Sequence, residues 1–152
     1  MAVTGVFHTG ITVSSLDRAL DFYCGALGFE LLWRRLYEEE YILRQVAVDG
    51  ATGIEVALTR VPGSDHLVEL LEYRGCERRP GSVRPCDYGS GHFALVVDDM
   101  RAMVDRLRAA GAGFRGNPPV PIEAGANKGG LAAYALDPDG FIVELHQRPP
   151  TA

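Results

Sequence analysis

The chain repeats itself, and a repeat of this length dictates two copies of one supersecondary unit. With an offset of 84 residues, His8-Thr-Gly-Ile-Thr-Val13 falls on His92-Phe-Ala-Leu-Val-Val97. Each segment reads as a short strand with a histidine near its start and β-branched residues at its end. Ser14-Ser15-Leu16-Asp17 follows the first and Asp98-Asp99-Met100 the second. Ser or Asp in that place accepts the free N–H groups of a first helical turn. The helices carry matched apolar stripes: Leu16, Ala19, Leu20, Tyr23 and Leu27 in one, Met100, Met103, Val104, Leu107 and Ala110 in the other. Both stop at glycine (Gly25 or Gly28; Gly111) and run into Gly28-Phe29 and Gly113-Phe114, where the offset slips by one.

Strand-like runs follow each helix, at about 29–36, 42–49, 54–60 and 66–73 in the first half, one of the first two bent or partly loop. In the second half they fall at about 112–115, 131–136 and 140–147. The expected fold class is therefore α+β, with two tandem βαβββ modules in a single domain spanning 1–152. Module 1 covers about 6–74 and module 2 about 91–148, joined by a linker at about 75–90 that holds Gly75, Pro80, Gly81 and Pro85. Asp137-Pro-Asp-Gly140 is a turn, because Pro fixes φ and Gly supplies φ > 0, and it makes a hairpin of the last two strands. Pro118 to Gly130 is too long for a tight turn and reads as a mobile loop over a site.

A net charge of -5 gives the chain no electrostatic reason to seek nucleic acid or anionic lipid. Arg74, Arg78, Arg79 and Arg84 lie beside Glu72 and Glu77 and read as a solvated linker. No run approaches the roughly 20 apolar residues of a membrane span, and Met1-Ala2-Val3-Thr4 opens no signal peptide. Three cysteines without a C-x-x-C pair suit a reducing compartment; Cys24 falls on an apolar helix face and reads as core. A cytoplasmic protein with a small-molecule substrate is the expectation.

Four residues carry the chemistry. Glu69 stands inside Leu67-Val-Glu-Leu-Leu71 and Glu144 inside Phe141-Ile-Val-Glu-Leu145. A carboxylate surrounded by that much apolar strand is costly to bury without a cation. Each closes a module that a histidine opened, so the order His8, Glu69, His92, Glu144 repeats once per module and points to one shared divalent metal ion. His66 is out of phase with Glu69 and reads as surface; His146 is in phase with Glu144 and is a candidate for the pocket. Glu38-Glu39-Glu40 reads as a solvated turn, and Phe29 and Trp33 as core. Polar candidates on the substrate side are Lys128, Asn127, Arg44 and Tyr134, with Gln45 and Glu55 beside them.

Four segments together resemble the vicinal oxygen chelate superfamily of glyoxalase I, methylmalonyl-CoA epimerase, extradiol dioxygenases and bleomycin-resistance proteins. They are F-H-T-G-I-T-V-S-S-L-D-R-A-L-D-F-Y at 7–23, H-L-V-E-L-L-E-Y at 66–73, G-H-F-A-L-V-V-D-D at 91–99 and Y-A-L-D-P-D-G-F-I-V-E-L at 134–145. The resemblance implies a curved, eight-stranded, half-open barrel with one Zn, Ni, Co, Mn or Fe ion inside, and a homodimer. A four-ligand set matches its isomerase, epimerase and glyoxalase branches. It implies proton abstraction from a small hydroxy-ketone or related acid through a metal-bound enediolate, with Glu144 as first choice of base and Glu69 second. A glyoxalase I-type lyase is the nearest alternative, then a ring-cleaving dioxygenase or a non-catalytic drug- or metabolite-binding protein. Thr12 stands where glyoxalase I has a glutathione-holding arginine, Tyr73 where it has asparagine, and Glu69 where the epimerase has glutamine.

Overall fold

The computed structural model describes residues 2–81 and 84–150, and the chain divides into two compact units, Met1–Arg79 and Pro80–Ala152. The first unit contains β1 (Thr9–Thr12), α1 (Leu16–Leu20) running on as a π-helical turn over Asp21–Ala26, β2 (Glu30–Tyr37), α2 (Glu40–Val46), β3 (Gly53–Arg60) and β4 (Leu67–Arg74). The second contains β5 (His92–Val96), α3 (Met100–Ala109), β6 (Gly113–Pro121), β7 (Leu131–Leu136) and β8 (Ile142–Gln147). Each unit forms one four-stranded sheet, in the orders β1-β4-β3-β2 and β5-β8-β7-β6. The first strand of each unit runs parallel to its last, and the other pairs are antiparallel. Two mixed sheets with helices laid on them make the fold α+β.

One face of each sheet is covered by its helix. Val68 and Leu70 of β4, with Ala57 and Thr59 of β3, are buried with Leu16, Ala19 and Tyr23. Thr59 joins this apolar face because its hydroxyl donates to the Val68 carbonyl at 2.9 Å. In the second unit Val143 and Leu145 of β8, with Ala133 and Ala135 of β7, are buried with Met100, Val104 and Leu107 of α3. The strands' period of two leaves Glu69 and Glu144 on the opposite faces.

Both helix N-termini are held twice. Ser15 accepts from the Arg18 N–H and Asp99 from the Ala102 N–H, as the capping residues predict. A second acceptor comes from the last strand of each unit. The Leu16 N–H donates to Glu72 Oε2 at 2.7 Å, and the Met100 N–H donates to Gln147 Oε1 at 2.7 Å. Glu72 and Gln147 each stand three residues beyond Glu69 and Glu144, so the same bond fixes helix to strand in both copies.

Several sequence expectations need correction. The run 42–49 is not a strand: 40–46 is α2, with Ile42, Leu43 and Val46 on its half-buried side and Ala47 left-handed at its end. Ile42 and Val46 satisfy both period two and period four, which is why the pattern misled. Glu38-Glu39-Glu40 is accordingly no simple turn, since Glu39 caps α2 and Glu40 begins it. Pro118 to Pro121 belong to β6, and the remaining residues to Gly130 form a pinned turn. Ile122 N–H donates to the Gly130 carbonyl at 3.0 Å, and Gly129 N–H to the Ile122 carbonyl at 2.9 Å. Gly130 has no room for a Cβ, which would lie 2.4 Å from the Gln147 carbonyl oxygen. His66 is half-buried and its Nε2 meets Thr9 Oγ1 at 2.9 Å, tying the start of β4 to β1. Cys24 is half-buried, and Trp33 is exposed on edge strand β2, whereas Phe29 is core.

A charge network crosses the first sheet. Arg34 of β2 donates to Glu55 of β3 at 2.7 Å and to Asp17 of α1, and Arg74 of β4 also pairs with Glu55. The Arg34 and Arg74 guanidiniums hold the Glu55 carboxyl below its ordinary value despite burial acting the other way. A depressed carboxyl stabilises the fold above its unfolded pKa, and the contribution is lost as pH falls through the folded value. Wild type should therefore exceed Glu55→Gln by about 1 kcal/mol at pH 7, discounted for the exposed arginine heads, with the gap closing below about pH 4.3. Urea titrations of both proteins between pH 7 and pH 3 read the difference, and a gap independent of pH would exclude the network as its source.

Candidate metal centre

In each unit a histidine at the start of the parallel edge strand, His8 just before β1 and His92 opening β5, reaches diagonally to a glutamate on the neighbouring strand. Gly10 pairs with Glu69, so His8 stands two residues earlier and on the same face. Ala94 pairs with Glu144, which places His92 in the equivalent position. His8 Nε2 lies 3.3 Å from Glu69 Oε2, and His92 Nε2 lies 3.1 Å from Glu144 Oε2. The two glutamate side chains are about four-fifths covered, at 20% and 22% exposure, while His92 at 41% is the most open of the four. The duplication thus extends to the contact made by each pair.

These donors suit a divalent cation. Two ligands at right angles on one ion, each about 2.1 Å from it, stand about 3 Å apart, which is the size of both N···O separations. In each pair Nε2 faces the carboxylate, and His8 Nδ1 is buried with no hydrogen-bond partner among the described residues. Neutral imidazole with carboxylate oxygen is a borderline set that fits Zn, Ni, Co, Mn or Fe. Among the described residues no group of three or more His, Cys, Asp or Glu side chains comes close enough to hold an ion. Each unit offers two donors.

Side chains flank the pairs differently in the two copies. Across the first sheet the row through Glu69 reads Gly10, Glu69, Leu58, Trp33; across the second the row through Glu144 reads Ala94, Glu144, Tyr134, Arg115. The Tyr134 ring lies 5.4 Å from the His92 ring, centroid to centroid, at a tilt of 38°. Further along Glu69's face, burial pushes the Tyr73 phenol above its ordinary value, with Cys76 and Glu69 adding to the shift. Of the sequence candidates for the substrate side, only Tyr134 stands in either row. Arg44 is exposed on α2 and pairs with Glu40 at 3.2 Å. Lys128 and Asn127 sit in the exposed turn before β7, at the end of the sheet where Leu131 pairs with Gln147. Gln45 is exposed on α2, Glu55 is engaged by the arginines on the helix side of its sheet, and His146 follows Glu144 along its face.

Arg115, in the Glu144 row, was not among the sequence candidates. Its signal was the Gly113-Phe114 repeat, which fixes the phase of β6: Phe114 lies under α3, where the Arg108 guanidinium sits 5.6 Å from its ring, so Arg115 points to the other face.

The sequence profile of the glyoxalase/bleomycin resistance protein/dioxygenase superfamily matches residues 5–145. The chain belongs to this superfamily. Within it, the chain is 31% identical over 147 residues to a 2-epi-5-epi-valiolone epimerase of Actinomyces sp, covering 95% of this chain and 79% of that one. It is 35% identical over 148 residues to a probable lactoylglutathione lyase of Vibrio parahaemolyticus, covering 93% and 89%. Both relatives are named as enzymes of the superfamily. Plant lactoylglutathione lyases that also match are longer, and the chain spans 44% of their length. Among solved structures, a glyoxalase family protein of Bacillus cereus superposes with a TM-score of 0.83 at 21% identity, covering 99% of this chain and 97% of that one, which shows the shared glyoxalase-like fold. Among the described residues no helix is long and apolar enough to cross a membrane.

Proposed function

We propose that the chain is a divalent-metal-dependent epimerase or isomerase of a small hydroxy-ketone or related acid. The observation that carries this reading is the pair of duplicated His–Glu contacts, His8 with Glu69 and His92 with Glu144, at donor spacings of 3.3 and 3.1 Å. His8, Glu69, His92 and Glu144 would hold the ion. A bound divalent ion would supply Lewis acidity at the substrate's oxygens, which acidifies the C–H beside its carbonyl. Glu144 removes that proton and returns it, and the hydroxyl of Tyr134, its neighbour in the row, donates to a substrate oxygen.

A lactoylglutathione lyase is the second reading, favoured by the 35% identity to the Vibrio relative. The two differ in what they demand of a thiol. An epimerase exchanges its substrate's acidic proton with solvent unaided, whereas a lyase of that kind acts on a glutathione adduct. The metal-loaded protein in D₂O should wash deuterium into one or more members of a panel of hydroxy-ketones and keto-acids without glutathione, read by proton NMR. Exchange of the hemithioacetal of methylglyoxal and glutathione, with none across the panel, would replace the first reading by the second.

A further inference from the structure

Beside Glu144 the second sheet carries a polar pair where its duplicate is apolar. Leu58 and Trp33 extend the Glu69 row, and Tyr134 and Arg115 extend the Glu144 row. The change is in one direction at both positions, a hydroxyl for an isobutyl group and a guanidinium for an indole. Neighbouring strands lie about 4.8 Å apart, which puts the Arg115 Cα roughly 10 Å from that of Glu144 with Tyr134 between them. Arg115 is half-buried, and a guanidinium withdrawn from water is stabilised by an anion. It already has an interaction within the chain, but its five N–H donors leave capacity for another. With a net charge of -5, the protein has no general attraction for anions and needs a local one to hold them.

We propose that Tyr134 and Arg115 form an oxyanion subsite that takes a carboxylate or phosphate group of the substrate. The planar guanidinium fork donates to two oxygens of such a group, and the tyrosine hydroxyl donates to the oxygens between it and Glu144. The substrate is then an acidic or phosphorylated hydroxy-ketone rather than a neutral one, oriented with its charged end toward β6 and its reacting carbons toward Glu144. That orientation rests on the function proposed above; the anion subsite itself does not.

Two experiments separate the claims. Metal-free protein is titrated with phosphonoacetate and followed by NMR, in wild type, Arg115→Gln, Tyr134→Phe and the exposed control Arg79→Gln. Saturable shifts centred on β6 and β7 are expected, weakened about tenfold in Arg115→Gln and unchanged in Arg79→Gln. Shifts elsewhere, or shifts in β6 and β7 that persist undiminished in Arg115→Gln, overturn the subsite. Zinc-loaded protein is then titrated with acetohydroxamate and phosphonoacetohydroxamate. Wild type should favour the phosphonate about tenfold, and Arg115→Gln should lose that preference while keeping its affinity for acetohydroxamate. A preference that survives in Arg115→Gln also overturns the proposal. If the metal-free protein binds phosphonoacetate through Arg115 but the zinc-loaded protein binds neither hydroxamate, the subsite stands and the metal reading fails.

Discussion

Protein carrying His92→Ala should lose its divalent ion, and His8→Ala should lose the same ion. Removing a group that merely orients a metal ligand costs about 10–100-fold in affinity, so removing a ligand should cost more than about 100-fold. The two histidines belong to different units, each with its own glutamate at 3.3 or 3.1 Å. A single four-donor centre predicts one ion per chain in wild type and none in either variant. Two independent two-donor sites predict that each variant keeps half the metal. Elemental mass spectrometry after purification without chelator or nickel resin, followed by competition with a chromophoric chelator, reads both quantities. Both side chains are partly exposed, at 29% and 41%, so thermal unfolding of the metal-free variants should match that of the metal-free wild type within a few degrees. Retention of a full complement in His8→Ala would remove that residue, and with it the duplicated centre.

The duplication was legible because it is written in period and in caps. Ser15 and Asp99, the two apolar helix stripes and the alternation in β4 and β8 each follow from local physics, and they agree in both halves. Glu69 and Glu144 stand out in the sequence for the same reason, as charges interrupting apolar strands. Pairing across strands was not legible. Nothing along the chain says that Leu16 N–H finds Glu72, or that Met100 N–H finds Gln147, until β4 and β8 are set beside the helices. The Gly113-Phe114 repeat sets the phase of Arg115 along β6, but its place in the Glu144 row, two strands away, depends on register, which is a tertiary quantity. The helix at 40–46 failed differently, because Ile42 and Val46 fit both periods and only Leu43 breaks the alternation of a strand.

Glu144→Gln should slow exchange severely while Glu69→Gln mainly weakens metal binding, although the two glutamates occupy equivalent places. Glutamine retains a carbonyl oxygen for a metal but cannot take a proton, so the substitution separates holding the ion from acting as base. At saturating metal, Glu144→Gln is expected to exchange deuterium 10²- to 10⁴-fold more slowly than wild type, the usual contribution of a positioned general base. Glu69→Gln should need more metal to saturate and then exchange within about tenfold of wild type. The asymmetry comes from what stands next to each carboxylate. Beside Glu69 is Leu58, which offers no donor to a substrate oxygen; beside Glu144 are Tyr134 and the His92 ring 5.4 Å from it. A proton moves where the charge left behind on the substrate is met by a hydrogen-bond donor, and the residue next to the carboxylate supplies one only beside Glu144. Deuterium NMR on the hydroxy-ketone that exchanges fastest with wild type, at metal concentrations titrated separately for each variant, measures both effects. Equal losses in the two variants would mean that the carboxylates act as one unit, and full exchange in Glu144→Gln would move the base to Glu69.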